Sequence, residues 1–208
     1  MKNNPIIKIL TVTIVSIVCV FFTSLIIFNI FYIKSNVNGK SMETVLYSGD
    51  KIFTNRYAHT KKGDIVVANI KNEDNWTNKE DGDYVVKTLI ATEGDTVKIE
   101  QIDTFKYQLI VNNEIVATKE IFVGLNSYYF FTQYVLENFQ NETRIENGAI
   151  KVLENEVFII GENWEVSYDC FSCGPINKNS IIGKVDIVVP KSNNLFFGAI
   201  KGLFKLWF

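Results

Sequence analysis

The sequence predicts a mainly β fold, a β-rich sandwich or barrel-like domain behind one N-terminal transmembrane helix. Residues 9–33 form an apolar run of 25 residues without a charge. Beyond it the chain breaks into short runs of β-branched and aromatic residues separated by Gly, Asn and Asp, the pattern of strands and turns. Stretches with helical periodicity are few in that part, which favours an architecture built from sheets.

The apolar run is long enough to be an uncleaved membrane anchor. As a helix, residues 9–33 would extend about 38 Å at about 1.5 Å per residue, enough to cross a bilayer with some tilt. A cleavable signal peptide has an apolar core of only about 7–15 residues and a small-residue cleavage site, which this run lacks. Lys2 and Lys8 precede the run and Lys34 follows it, which favours a cytoplasmic N-terminus. Tyr32 falls where interfacial aromatic residues are enriched.

The domain organisation predicted from this pattern has five parts. They are a cytoplasmic N-terminus (1–8), the anchor (9–33), an extracytoplasmic β-rich domain (34–190), an inserted lobe within it at about 119–155, and a tail (191–208). The lobe carries an aromatic cluster, which is either core or a partner site. Residues 195–208 of the tail are apolar with two lysines, as in an amphipathic helix lying on membrane lipid. A terminal helix packed on the domain and a frayed tail are the alternatives.

Several strands are delimited by turn residues. Residues 109–116 indicate a hairpin that turns at Asn112 and Asn113, because Asn tolerates the left-handed backbone region. The candidate strands are residues 50–55, 64–70, 84–92, 96–102, 107–111, 157–160 and 181–189.

Charge and cysteine content narrow the functional classes. The net charge of −2 argues against a nucleic-acid partner. Cys170 and Cys173 form a lone Cys-x-x-Cys, but a zinc site would need two more ligands and the chain has one histidine, His59. The interpretation is a structural disulfide or unpaired thiols rather than a redox pair. No metal or cofactor is expected.

Ser41 is the candidate nucleophile and Lys87 its candidate base. A serine hydroxyl is a poor nucleophile until a base takes its proton, and lysine can do so when an apolar site favours its neutral form. Lys87 lies in a predicted strand whose alternate residues, Val85 and Leu89, would share its face. An edge-strand lysine pointing into solvent is the plainer alternative.

Three ordered blocks, residues 39–46, 83–90 and 161–169, resemble those of bacterial type I signal peptidases, which are membrane-anchored Ser/Lys endopeptidases. The resemblance spans residues 34–189. Matching positions are Ser41, Met42, Leu46, Gly49, Asp50, 63–67, Lys87, Gly94, Asp95, Gly161, Asn163, Ser167, Asp169 and 182–185. The chain departs from the family pattern at Thr44 (for Pro), Val45 (for Thr), Thr88 (for Arg), Glu162 (for Asp), Cys170 (for Ser) and Phe171 (for Arg).

The resemblance implies a role for each matched residue. Ser41 would attack the scissile carbonyl and Lys87 would act as general base and then general acid. Ser167 would orient the lysine amine, and Asp169 would brace the site, although the arginine that the family pairs with it is Phe171 here. Met42 would line an apolar substrate pocket. The backbone N–H of Ser41 would be an oxyanion donor, and Gly39, where some members carry a donor serine, would permit close backbone approach.

The resemblance also implies the substrate, which is a secretory pre-protein with small residues before the cut, including pilin precursors. Some Gram-positive bacteria also have signal-peptidase-like proteins that assist pilus assembly and have lost the dyad. The departures at Thr44, Val45, Thr88, Cys170 and Phe171 favour that alternative, whereas the retained Ser41 and Lys87 favour a working peptidase. A self-cleaving repressor-type Ser/Lys protease would carry a DNA-binding domain where this chain has an anchor. The remaining alternative is an anchored β-domain in which Ser41 is an ordinary loop serine.

Overall fold

The computed structural model describes residues 5–71, 83–122, 126–139 and 143–191. Helix α1 (Pro5–Phe31) is exposed along its whole length and is long and apolar enough to cross a membrane. Strand β1 (Tyr32–Asn36) follows without a loop, so its first residues come from the run predicted as the anchor. Beyond its first residue, the predicted interfacial tail lies outside the described residues.

The larger of the two antiparallel sheets in the described residues has seven strands; Lys87 lies on one of them, and Ser41 lies in a segment that connects two of them. In spatial order they are β1, β2 (Lys51–Asn55), β12 (Ile181–Val189), β3 (Ile65–Asn69), β4 (Tyr84–Thr92), β10 (Glu156–Ile160) and β11 (Ile176–Asn177).

The second sheet has five strands. In spatial order they are β7 (Glu114–Glu120), β6 (Lys106–Val111), β5 (Thr96–Asp103), β9 (Ala149–Lys151) and β8 (Ile145–Glu146). Asn112 and Asn113 join β6 to β7 with φ values of 52° and 66°, which confirms the hairpin prediction. Two antiparallel sheets and one N-terminal helix confirm the mainly β prediction.

Short helices connect the later strands. They are α2 (Ser127–Phe130), a π-helical turn (Phe131–Val135), α3 (Leu136–Asn138), α4 (Cys170–Cys173) and a 3₁₀ turn (Lys178–Ser180). The aromatic side chains of the predicted lobe differ in burial. Phe131 is fully buried in the main core, whereas Tyr134 is exposed.

Two apolar cores hold the domain together. The main core joins the two sheets through alternating residues of β5 and β6 and through apolar residues of β4 and β10, which include consecutive ones. A smaller core lies beside β2 and β12 and contains Val37, Met42 and Leu46 from the segment between β1 and β2. Because burying a Met or Leu side chain is worth about 1.5–3 kcal/mol, this core fixes the segment that carries Ser41.

Candidate active site

Ser41 lies half-buried on a turn between β1 and β2. The buried neighbours Met42 and Leu46 anchor this turn, and the N–H of Leu46 donates to the carbonyl of Met42 over 2.9 Å. Gly39 precedes the turn with φ +97°, a conformation that favours glycine. The turn therefore presents the Ser41 hydroxyl from a fixed backbone.

Lys87 lies in the middle of β4, and only 3% of its surface is exposed. Its neighbours on the same strand face, Val85 and Leu89, are buried as well. The Nζ atom donates a hydrogen bond of 2.8 Å to the Oγ atom of Ser167. The solvated edge-strand alternative is thereby excluded for Lys87.

Asp169 is the fully buried end of this hydrogen-bond chain. The hydroxyl of Ser167 donates to one carboxylate oxygen, which also accepts the N–H of Gly161 at 2.7 Å. The other oxygen accepts the N–H of Phe171 at 2.9 Å and so caps α4. Burial raises the pKa of the Asp169 carboxyl, while the charge of Lys87 and the three hydrogen bonds oppose that rise.

Gly161 is the contact point between the Ser41 turn and Ser167. A Cβ atom at Gly161 would lie 2.1 Å from the Oγ of Ser167 and 2.5 Å from the carbonyl oxygen of Ser41. Two residues later the N–H of Asn163 donates to that same Ser41 carbonyl over 3.0 Å, and the Asn163 carbonyl accepts the N–H of Ser167. One short segment after β10 thus holds both candidate serines in place.

Ser41 and Lys87 line one open cleft of about 410 Å³. The cleft runs along the edge strand β1 and contains Met42 and Gly39 in its wall. An edge strand offers unpaired backbone groups to an extended peptide. Its other lining residues are Ser35, Asn36, Val37, Asn38, Lys40, Ile52, Val67, Tyr84, Val85, Val86, Val166 and Tyr168.

The structure thus brings all six predicted site residues to one place. The site combines the Ser41 hydroxyl, the buried Lys87 amine and the hydrogen-bonded pair of Ser167 and Asp169. Within the described ranges, no group of three or more His, Cys, Asp or Glu side chains could hold a metal ion.

Two residues of α4, Cys170 and Phe171, depart from the family pattern, and both belong to the main core. Phe171 is fully buried. Cys170 is buried and its Sγ accepts the N–H of Ile159, and neither Cys170 nor Cys173 is in a disulfide. Of the two structural interpretations left open by the sequence, the structure favours reduced thiols over a disulfide.

A second polar cluster lies on the face of β4 opposite Lys87 and was missed by the sequence analysis. The Glu162 carboxylate accepts the Thr88 hydroxyl at 2.7 Å and pairs with the Lys119 ammonium at 3.0 Å. The alternation of Ala117 and Lys119 with exposed residues along β7 is the signal that could have placed this lysine inward.

Comparisons with known proteins relate the chain to signal peptidases. A family model described as "Signal peptidase, peptidase S26" matches residues 7–190. Signal peptidase I P of Bacillus subtilis subsp. natto is 28% identical over 190 residues, which cover 86% of this chain and 88% of that protein. Signal peptidase I V of Bacillus subtilis (strain 168) is 27% identical over 161 residues, 76% of this chain and 85% of that protein. A crystal structure of a signal peptidase I from Enterococcus faecalis V583 has a TM-score of 0.37 and 20% identity, covering 61% of this chain and 97% of that chain.

Proposed function

This chain belongs to the signal peptidase family, peptidase S26, and on that premise we propose that it is a membrane-bound type I signal peptidase that uses Ser41 as nucleophile and Lys87 as general base. The observation that carries the proposal is the position of Lys87, which is almost fully buried, bonded to Ser167 and in the same cleft as Ser41. Its substrates are secretory pre-proteins, and pilin precursors fall within that class.

The buried amine suits the proton transfers of peptide hydrolysis. A lysine amine accepts a proton only when it is neutral, and removal from water disfavours the ammonium form. Lys87 takes the proton of the Ser41 hydroxyl as the Oγ–carbonyl bond forms, and returns it to the leaving amine as the C–N bond breaks. Water activated by the same amine then hydrolyses the acyl-enzyme ester and releases Ser41.

Ser167 and Asp169 orient the amine in this scheme. Because the Ser167 hydroxyl donates its hydrogen to Asp169, its oxygen offers a lone pair to the Nζ–H of Lys87. One N–H of the amine is then occupied, and the nitrogen lone pair is left for the Ser41 hydroxyl. The Ser41 backbone N–H is the proposed oxyanion donor, and Gly39 leaves room for the substrate backbone.

The anchor places this chemistry at the membrane surface. We propose that α1 crosses the cell membrane with its N-terminus in the cytoplasm, so that the cleft lies on the outer face. A signal peptide is itself embedded in that membrane, and tethering raises the effective concentration of one partner for the other. The walls of the cleft suit an extended peptide with small side chains before the cut.

The test is cleavage of a pre-protein with an Ala-x-Ala site by the full-length protein in lipid vesicles. We expect the wild type to cut, and Ser41→Ala and Lys87→Ala to lose about 10³-fold or more in rate while keeping the wild-type circular dichroism spectrum. Ser48→Ala, an exposed serine in the same segment between β1 and β2, is the matched control and should cut normally. A folded wild type that cuts neither this substrate nor a pilin precursor would contradict the proposal and favour the non-catalytic accessory role.

A further inference from the structure

Lys119 connects the second sheet to the segment that holds both candidate serines. It lies on β7, the edge strand of the five-stranded sheet, whereas Glu162 follows β10 of the other sheet. The Lys119 ammonium lies 3.0 Å from a carboxylate oxygen of Glu162 and also donates to the main-chain carbonyl of the same residue. It is 5.0 Å from the centroid of the Trp164 ring. This lysine therefore contacts the segment at three points.

The ion pair is sheltered enough to resist weakening by solvent. The Lys119 and Glu162 side chains are 26% and 24% exposed, so their attraction is screened less than that of a fully exposed pair. Burial raises the pKa of the Glu162 carboxyl, but hydrogen bonds from Thr88 and Lys119 and the charge of Lys119 outweigh it and lower that pKa. The carboxylate is thus ionised, and its counter-charge comes from the second sheet.

Glu162 lies between the two residues that hold the catalytic groups. On one side the N–H of Gly161 donates to Asp169, and on the other the N–H of Asn163 donates to the Ser41 carbonyl. A shift of the Glu162 backbone would move both contacts together. In enzymes a misplacement of about 1 Å can lower the rate by about 10²-fold.

We propose that Lys119 is a positioning residue for the peptidase reaction, holding the Glu162 backbone so that the Ser41 turn and the pair of Lys87 and Ser167 keep their reactive geometry. The proposal rests on the proposed function for its kinetic part. Lys119 lies outside the three sequence blocks that resemble the family, and it belongs to the five-stranded sheet.

The kinetic test compares Lys119→Met with Lys119→Arg in the full-length protein. We expect Lys119→Met to lower kcat about tenfold or more with KM changed less than about twofold, because the substrate binds in the cleft of Ser41 and Lys87, which Lys119 does not line. Lys119→Arg keeps the charge and should recover most of kcat. Lys98→Met is the matched control, since it removes a similarly exposed lysine paired with Glu100 in the same sheet and should leave kcat unchanged. Equal kcat in wild type and Lys119→Met, or no recovery in Lys119→Arg, would overturn the proposal.

A second measurement does not depend on catalysis. The exchange rate of the Asn163 amide hydrogen, which bonds to the Ser41 carbonyl, should rise about tenfold in Lys119→Met and stay at the wild-type value in Lys98→Met. If the wild type cuts no substrate, this result still decides whether Lys119 holds the segment. Unchanged protection of Asn163 would refute the positioning role even in an active peptidase.

Discussion

The ring of Phe171 lies edge-on to the indole of Trp164, with ring centroids 5.8 Å apart and planes at 72°. Phe131 and Phe158 contact Phe171 in the same edge-to-face manner. Each such pair is worth about 0.5–1.5 kcal/mol beyond the area it buries. The position that holds arginine in the family pattern is therefore an aromatic core position in this chain.

Asp169 keeps its bracing contacts without that arginine. Two backbone N–H groups and the Ser167 hydroxyl supply the hydrogen bonds, and the charge of Lys87 lies near enough to affect the Asp169 pKa. Hydrogen bonds to a carboxylate are stronger than those between neutral groups. The arginine lost at Phe171 is thus compatible with an ordered Asp169.

Restoring the arginine should unfold the core rather than improve the site. Phe171→Arg would place a cation among three aromatic rings, and we expect it to lower the free energy of unfolding by about 4 kcal/mol or more. Phe171→Leu, which stays apolar, should cost only about 1–2 kcal/mol. Urea titration in detergent micelles followed by tryptophan fluorescence measures both. Equal stabilities of the two variants would mean that the ring contacts do not hold this position.

The backbone conformation at Thr44 explains a second departure from the family pattern, the absence of proline at this position. Its φ is +94°, in a region that β-branched residues rarely adopt. Proline, which the family has at this place, is fixed near −65° and cannot take that value. We expect Thr44→Pro to displace the Ser41 turn and lower the cleavage rate about tenfold or more, and Thr44→Gly to raise stability by about 1 kcal/mol and keep activity. Cleavage assays measure the rates of both variants, and thermal melts measure their stabilities. Wild-type activity in Thr44→Pro would show that the turn takes another conformation.

Local signals in the sequence were sufficient for several features. The apolar strand around Lys87 and the Asn112–Asn113 turn are encoded by neighbouring residues, so period-two alternation and backbone preference revealed them. The pairing of Lys119 with Glu162 joins residues 43 positions apart on different sheets, and no local pattern encodes it. The burial of Phe171 likewise depends on three rings brought together by the fold.

The positions that match the family motif could be predicted from the sequence, but the structural role of Gly161 could not. Gly161 matches the residue type of the family block. Its role depends on close contacts with Ser167 and Ser41, which form only in the folded protein. The sequence also left open how Asp169 is held without the family's arginine, because a sequence does not show which backbone N–H groups point at a carboxylate.

Gly161→Ala should stop catalysis by steric overlap. The added methyl would lie 2.1 Å from the Ser167 Oγ and 2.5 Å from the Ser41 carbonyl oxygen, so both must move. We expect the cleavage rate to fall about 10²-fold or more. Gly94→Ala is the matched control, because a Cβ there meets no atom within 4 Å, the residue does not line the cleft, and the change costs only the strain of a positive φ, about 1 kcal/mol. If Gly161→Ala cuts as fast as Gly94→Ala, the close contact is not needed for activity.

The buried thiols should be unreactive in the folded protein. Burial raises the pKa of the Cys173 thiol to about 12, and only the thiolate attacks an alkylating reagent. At pH 8 we therefore expect iodoacetamide to modify neither Cys170 nor Cys173 within an hour, in a Cys19→Ser background that removes the exposed thiol of α1. After denaturation without reductant both should be alkylated, giving two added groups by mass spectrometry. A mass that shows no alkylation after denaturation would instead reveal a disulfide between them, and rapid labelling of the native protein would contradict the burial of α4.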